Sequence, residues 1–403
     1  MRVLHIVKTV VGATWALEQV RVLSRLGIEV VVALPSVDEG LAPEYRRAGA
    51  ERIEADLDFP ARRPWQIPSV LAECRDVIGR VRPDIIHCHH VGTTIVMRLA
   101  LGRDSKTPRI FQVPGPLHLE SPFFAKLDLR LAGPRDYWIA TCEWTRQKYL
   151  ASGVPPDRVF LSYAGTNVRR FAPGRKGMLC AELGIGRDVP LVGMVAYMYA
   201  PKWFLGQQHG LKGHEDFFAA LSLARQERPE ICGVVIGGAW GGAKWYEEQL
   251  RNRGRAVCGA SLAFLGNRSD IAALYPDLDL AVVPSHSENC GGVVEPLLSG
   301  VPVVATNVGG LPDVIRDGET GWLVPAKNPE ALAGAMLDAL RDGGEAPRRA
   351  ARGRELVREM FDAERTAREV AGIYPCVLED SNRQISSFAG AHSQERHEFV
   401  SSG

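Results

Sequence analysis

The chain has 403 residues, 46% hydrophobic and 24% charged, which is long enough to build two domains with separate cores. Its formal net charge of +1 favours no class of partner, and we expect no nucleic-acid partner. Residues 1–172 carry a net charge of +6 and the remainder −5. The first half could therefore meet an anionic partner or membrane surface, although ordinary solvated arginines are the simpler explanation of the excess.

The eight cysteines are scattered, without C-x-x-C or metal-ligand spacing, which is typical of a reducing compartment. The N-terminal stretch is apolar but is interrupted by Arg2 and Lys8, so it predicts a first strand rather than a signal peptide. No later run is long enough to span a membrane. We expect a cytoplasmic protein that contacts the inner membrane face peripherally at most.

Strand and helix patterns alternate along the first half. In chain order they read strand VLHIV, helix WALEQVRVLSRLG, strand EVVVALP, helix SVLAECRDVIGRV, and strands DIIHC, RIFQVP and YWIATC. This series predicts an α/β doubly wound parallel sheet, which binds ligands at the carboxyl ends of its strands. The first turn holds one glycine, Gly12, instead of G-x-G-x-x-G, which disfavours a dinucleotide oxidoreductase.

The second half repeats this architecture. After a predicted linker at residues 173–188, strands are expected in VPLVGMVAYMY, ICGVVIGG, SLAFLG, DLDLAVV and VPVVAT. We therefore expect domains at residues 1–172 and 189–355. Residues 356–380 should hold a helix that starts near Asp362, ends at Pro375 and crosses back to the first domain. Residues 381–403 lack an apolar period and predict a disordered tail.

The most informative stretch follows the strand at Leu280–Val283. Gly291 and Gly292 open a helix there, and its free N–H groups and positive dipole end are suited to a phosphate. Glu295, in the first turns, would reach a ribose diol, and Glu288 lies just outside the helix on the ligand side. Taken alone, these glycines fit plain turn geometry equally well.

A second strand and turn, further along the chain, favour a phosphate site over plain turn geometry. The strand VPVVAT leads into the turn NVGG and then LPDVI. Together, the two units resemble the donor-binding half of the retaining glycosyltransferases of family 4, which have the GT-B fold of two Rossmann-like domains facing a cleft. That family has two glutamates separated by seven residues, whereas Glu288 and Glu295 enclose six.

The resemblance implies roles in the first domain, which would bind the acceptor. Gly12 matches a loop that faces the donor phosphates. DIIHCHH matches a strand-end D-x-x-H-x-H segment, although His87 and His89 are more simply packing residues. Pro114 and Gly115 occupy the place where the family often has His-Gly, so we expect His118 to replace that histidine, binding a sugar hydroxyl or orienting the acceptor.

The resemblance also implies a basic pair for the donor diphosphate, in a G-R-L-x-x-x-K-G pattern. Lys212 matches the lysine end, while Tyr197 stands at the arginine position, fifteen residues earlier instead of five. About ten residues are therefore inserted, and they include Lys202. We assign Lys212 to the phosphate and name Lys202 as the stand-in for the arginine, although a plain surface lysine is equally compatible.

Further donor contacts are implied for Asn289, Gly291 and Gly292, and contacts to the base for Gly266 and Arg268. The donor half has no D-x-D pair at a strand end, since Asp277 and Asp279 precede a buried strand as turn residues. We therefore expect no metal, and no cofactor apart from a nucleotide-sugar cosubstrate. The resemblance implies retention by front-face attack, while a double displacement with Glu288 as nucleophile stays open.

The sequence thus predicts a hexosyltransferase that uses a nucleotide sugar, most simply a UDP-sugar. A UDP-sugar 2-epimerase with Glu120 as its carboxylate, and a non-catalytic nucleotide-sugar-binding subunit, remain the alternatives. The acceptor is open among glycan, lipid-linked and small-molecule classes. The aromatic side chains that could cover it are more often core residues; they are Trp65, Phe123, Phe124 and Trp138.

Overall fold

The computed structural model of the chain describes residues 1–203, 206–341 and 344–400, with side chains up to residue 383. Two parallel sheets, of seven and six strands, organise these residues into two α/β domains. This is the pair of doubly wound domains that the alternating pattern predicts. Within the described residues, every helix is too short or too polar to cross a bilayer.

The first domain has the strand order β3-β2-β1-β4-β5-β6-β7. Its strands are apolar along most of their length because helices cover both faces of a parallel sheet. The strands are β1 Arg2–Ile6, β2 Glu29–Leu34, β3 Glu51–Glu54, β4 Ile85–Cys88, β5 Arg109–Val113, β6 Asp136–Ala140 and β7 Val159–Leu161. The helices are α1 Thr14–Arg25, α2 Ala42–Arg47, α3 Ile67–Val81, α4 Val91–Leu101, α5 Leu117–Glu120, α6 Pro122–Leu131 and α7 Glu143–Ala151.

The second domain has the order β10-β9-β8-β11-β12-β13. Its strands are β8 Leu191–Val195, β9 Cys232–Ile236, β10 Leu262–Gly266, β11 Leu280–Val283, β12 Val303–Thr306 and β13 Trp322–Val324. The helices are α8 Met178–Leu183, α9 His214–Glu227, α10 Lys244–Cys258, α11 Ile271–Leu274, α12 Gly291–Leu298, α13 Leu311–Val314, α14 Pro329–Arg341 and α15 Glu345–Met360. In each sheet the strand order reverses beside the first strand, at β1/β4 and β8/β11, where such folds bind ligands.

The predicted linker contains helix α8. Both Leu179 and Cys180 are buried, and Leu179 belongs to the core of the second domain. Asp277 accepts hydrogen bonds from the backbone N–H groups at the start of α8. Asp279 pairs with Lys176 at 2.5 Å. These two aspartates are therefore structural, as expected for turn residues, and hold the linker against the second domain.

A last helix, α16 Ala363–Val400, returns to the first domain. It starts near Asp362 as predicted, but the predicted end at Pro375 is wrong, because the helix continues through that proline. Burial of Tyr374 and Val377 against the first sheet holds the helix on both sides of Pro375 and outweighs the missing backbone hydrogen bond. Residues 381–400, where the sequence predicts a disordered tail, belong to this helix, and residues 401–403 lie outside the described residues.

Candidate active site

Lys212 reaches the cleft because the chain before α9 packs very close to β11. Gly213 has φ of +70°, and a Cβ there would lie 2.0 Å from the carbonyl oxygen of Pro284, so only glycine fits. This turn places Lys212 beside the loop after β11. Its Nζ forms an ion pair there with Oε2 of Glu288.

The carboxylate of Glu288 is held from both sides. Besides the Lys212 ion pair, the Ser285 hydroxyl donates to Oε2 at 3.1 Å and the backbone N–H of Asn289 donates to Oε1 at 3.2 Å. The side chain is only 10% exposed. Glu288 is thus a fixed, charge-paired acceptor next to Lys212.

Helix α12 begins at Gly291, as the sequence predicts. Gly291 is exposed, and a Cβ at this position would meet nothing within 4 Å. Gly292 packs more tightly, since its Cβ would lie 3.0 Å from Val283 on β11. Backbone N–H groups in the first turn of a helix have no partner within the helix. This end of α12 is therefore accessible to an anion.

Glu295 lies one turn further along α12 and is largely buried. The Tyr275 hydroxyl donates to its Oε2 at 3.3 Å, and burial raises the pKa of the carboxyl. Glu295 lines a cavity of 240 Å³, which also includes Gly291, Trp15 and Thr166. Residues of both domains therefore face Glu295 across this space, which we call the Glu295 cavity.

Three lysines line a neighbouring cavity of 420 Å³, the three-lysine cavity. Lys202 and Lys212 were singled out in the sequence, whereas Lys8 was missed, although a lysine just after the first strand was an available signal. Burial, and then the charge of Lys8, lower the pKa of Lys202. Cations that converge in this way are suited to a polyanion such as a diphosphate.

His118 and Glu288 line the same cavity. The histidine is 6% exposed, and its Nε2 lies 3.0 Å from the hydroxyl of Tyr149. That hydroxyl donates to Asp128 at 2.7 Å, and Asp128 pairs with the buried Arg98. The ring of His118 is therefore held at the cavity wall by a buried network, and its contact with a sugar or acceptor stays a prediction.

Asn289 connects the two domains next to this site. Its Nδ2 donates to Thr141 of the first domain at 3.0 Å, and the residue lines both cavities. A second bridge is Asp313, which accepts from the backbone N–H of Glu143 at 2.7 Å and from Tyr163 at 3.1 Å. The cleft is closed at these points.

Gly12, in the loop after β1, contacts the second domain across the cleft. It has φ of +77°, and a Cβ there would approach the ring of Trp240 to 3.2 Å. Trp240 in turn packs against Tyr197, with ring centroids 4.9 Å apart. The sequence did not indicate this aromatic contact, because Trp240 follows a strand end with no pattern of its own.

The two residues predicted to contact the base lie elsewhere. Arg268 is engaged by Asp270 and by Glu182, each at 2.7 Å, and neither Arg268 nor Gly266 lines the Glu295 cavity. Gly266 pairs instead with Gly237 of the neighbouring strand end. The structure therefore does not group these two residues with the other candidates.

His87 and His89 are fully buried, as packing residues should be. They stack with His5 at centroid separations of 4.5–5.0 Å, and Tyr374 of α16 lies 2.9 Å from Nδ1 of His87. The ring nitrogens of the three histidines lie within 4.8 Å of one another, close enough in principle to share a metal. The stacked rings also contact α16, because the Tyr374 hydroxyl lies near both His87 and His5.

Two family profiles match the chain. Residues 12–170 match the profile described as Glycosyltransferase Family 4, and residues 203–342 match Glycosyl transferases group 1. The chain belongs to this family of glycosyltransferases. The resemblance inferred from the two glutamates and the VPVVAT strand is therefore confirmed.

Curated relatives agree with this assignment. The D-inositol 3-phosphate glycosyltransferase of Streptomyces scabiei is 29% identical over 239 residues, 57% of this chain and 51% of the relative. That of Nocardia farcinica is 31% identical over 305 residues, 74% of this chain and 62% of the relative. The chain spans about half the length of several curated relatives that it matches.

Solved structures confirm the GT-B fold. Anabaena HepE, crystallised with UDP and glucose, has a TM-score of 0.75 at 18% identity, covering 92% of this chain and 98% of that one. Sucrose-phosphate synthase of Thermosynechococcus elongatus has a TM-score of 0.76 at 19% identity, covering 94% and 99%.

This glycosyltransferase departs from its family at the arginine position. Tyr197 is 41% exposed and packs on Trp240, and it does not line the three-lysine cavity. Lys202, from the inserted segment, does line it together with Lys8. Lys8 and Lys202 therefore add two positive charges to the cavity that Lys212 lines.

Proposed function

We propose that this protein is a retaining, metal-independent hexosyltransferase that uses a nucleotide sugar, most simply a UDP-sugar. The observation that carries the proposal is the continuity of the cleft. Glu295 lies at one end, Gly291 and the start of α12 follow, and Lys212 with Glu288 borders the three-lysine cavity. A ribose, a diphosphate and a sugar would occupy these places in that order.

The comparisons support the donor class. HepE, which shares the fold, was crystallised with UDP and with UDP-glucose. The curated relatives are named for transfer to D-inositol 3-phosphate, so a cyclitol or sugar acceptor is a reasonable starting point. A UDP-N-acetylglucosamine 2-epimerase from Listeria monocytogenes also shares the fold, with a TM-score of 0.62, and epimerisation is therefore the competing activity.

The proposed reaction is a front-face substitution. The bond between the anomeric carbon and the diphosphate oxygen breaks, and a bond to the acceptor oxygen forms on the same face. The acceptor proton passes to the departing phosphate. Lys212, Lys202 and the N–H groups of α12 stabilise the charge that develops on the diphosphate. Glu288 keeps Lys212 in place through their ion pair.

The acceptor side supports a further expectation, peripheral contact with a membrane. Trp65 and Phe123 are 73% and 67% exposed, and Phe124 lines the three-lysine cavity, whereas Trp138 is a core residue. A lipid-linked acceptor would therefore meet apolar side chains on the first domain. Sedimentation with anionic vesicles tests this expectation.

The central experiment incubates the protein with UDP-sugars, first alone and then with sugar and cyclitol acceptors, in EDTA. Transfer with UDP release and retained anomeric configuration, read by NMR, supports the proposal. Epimer formation without acceptor identifies the epimerase. UDP binding without any turnover identifies a non-catalytic subunit, and a requirement for added Mg²⁺ or Mn²⁺ contradicts metal independence.

A further inference from the structure

A third cavity, of 590 Å³, opens beside the three-lysine cavity, and we call it the polar cavity. The two share Leu117, Leu211 and Ser287 in their linings, so they are contiguous. A molecule in the polar cavity would therefore lie next to a sugar held near Glu288. Its volume is in the range of small-molecule sites.

Residues 206–211 of the inserted segment form one wall of this cavity, and two hydrogen bonds anchor them. Gly210 donates its N–H to the Tyr246 hydroxyl at 2.9 Å, and a Cβ at Gly210 would lie 2.5 Å from that hydroxyl. His286 donates its backbone N–H to Leu211 at 2.7 Å. The same segment carries Lys202 into the three-lysine cavity and Gln207–His209 into the polar cavity.

The lining of the polar cavity is rich in hydrogen-bonding groups. The carboxylate of Glu120 accepts, the amides of Gln207 and Gln208 donate and accept, and the hydroxyls of Ser121 and Ser287 do both. Such a mixture suits a molecule with many hydroxyl groups. An acyl chain would find few apolar partners here.

The formal charges of this lining nearly cancel. Lys327 is balanced by Glu120, His286 lies 2.6 Å from Asp216, and His209 lies 3.4 Å from Glu215. A phosphate would find one lysine here, against three in the neighbouring cavity. The polar cavity therefore favours an uncharged ligand.

We propose that the polar cavity binds the acceptor of the transfer, an uncharged polyhydroxylated molecule of the saccharide or cyclitol class. Glu120 accepts hydrogen bonds from its hydroxyl groups, and the inserted segment determines which acceptor fits. This inference rests on the proposed function, since it assigns the second substrate of the same reaction.

The test measures polyol binding to the UDP-saturated protein by saturation-transfer NMR. The probes are myo-inositol, maltose and methyl α-D-glucopyranoside, with inositol 3-phosphate and octyl glucoside for comparison. We expect an uncharged polyol to bind, and Glu120→Ala to weaken it by at least about tenfold through the loss of charge-assisted hydrogen bonds. Gln208→Ala should weaken it less, and Glu248→Gln, on the exposed face of α10, should leave it unchanged.

Three outcomes overturn the inference. They are no binding of any uncharged polyol at tens of millimolar, unchanged binding in Glu120→Ala, and tight binding of inositol 3-phosphate alone that Lys327→Ala abolishes. A failure of the proposed function looks different, because UDP would then not bind or UDP-sugars would not turn over in the wild type. Intact UDP affinity in Glu120→Ala shows that the variant is folded.

Discussion

Replacing Glu295 with glutamine should change stability and ligand affinity in opposite directions. Burial raises the pKa of this carboxyl, so the folded protein disfavours its charged form, whereas the unfolded chain ionises freely. This difference lowers the free energy of unfolding at pH 7 and disappears as the pH falls below the ordinary carboxyl range. Glu295→Gln removes the charge, so the protein without ligand should become more stable at pH 7. This gain in stability should be smaller in acid.

The same substitution should weaken the binding of UDP. A carboxylate that accepts both hydroxyls of a ribose makes two charge-assisted hydrogen bonds, each worth about 1.5–3 kcal/mol, against about 0.5–1.5 kcal/mol for neutral ones. Glutamine also presents only one acceptor oxygen to the diol. The expected loss of about 1–3 kcal/mol corresponds to roughly 5- to 150-fold in Kd.

Two measurements check this prediction. Calorimetric titration of UDP gives the Kd, and urea unfolding at pH 7 and pH 5 gives the stability. Glu248→Gln is the matched control for loss of one exposed carboxylate. Tyr275→Phe removes the hydroxyl that donates to Glu295 and should lower stability instead. Unchanged UDP affinity in Glu295→Gln would refute the ribose contact, and lower stability at pH 7 would refute the argument from burial.

Three further predictions concern the cleft and the first domain. Lys212→Ala should lower the turnover of a UDP-sugar about a hundredfold. If Lys212→Ala keeps a near-normal rate and Lys202→Ala loses its activity, Lys202 is the residue that binds the phosphate. Gly12→Ala should lower the free energy of unfolding by about 1–2 kcal/mol, because φ is +77° and Trp240 is in contact; an unchanged urea midpoint would contradict this. Burial lowers the pKa of His5 to about 3, so the unfolded chain binds the proton first, and between pH 7 and pH 5 His5 alone should cost the folded state about 2 kcal/mol. In His5→Gln this part of the pH dependence should vanish from urea unfolding.

Local sequence patterns predicted many of the strands and helices and several of the candidate site residues. Short windows of sequence are enough to recognise the apolar β-branched runs of β1, β2, β8 and β11 and the two glycines that open α12. Glu295 and Lys212 were also singled out from their local sequence. Strand β3, with the sequence ERIE, was missed because an edge strand of alternating charge carries no apolar run. Helix α16 passes Pro375 because burial on both sides outweighs the local stop signal.

Tertiary structure alone decided which distant side chains share a cavity. Lys8 and Lys202 stand 194 positions apart in the chain, yet both face the three-lysine cavity because β1 and the inserted segment meet across the closed cleft. Trp240 reaches Gly12 in the same way. The sequence determined the strands, turns and local chemistry, since these depend on neighbours a few residues away. The cavities depend on strand order and domain closure, which no local window contains.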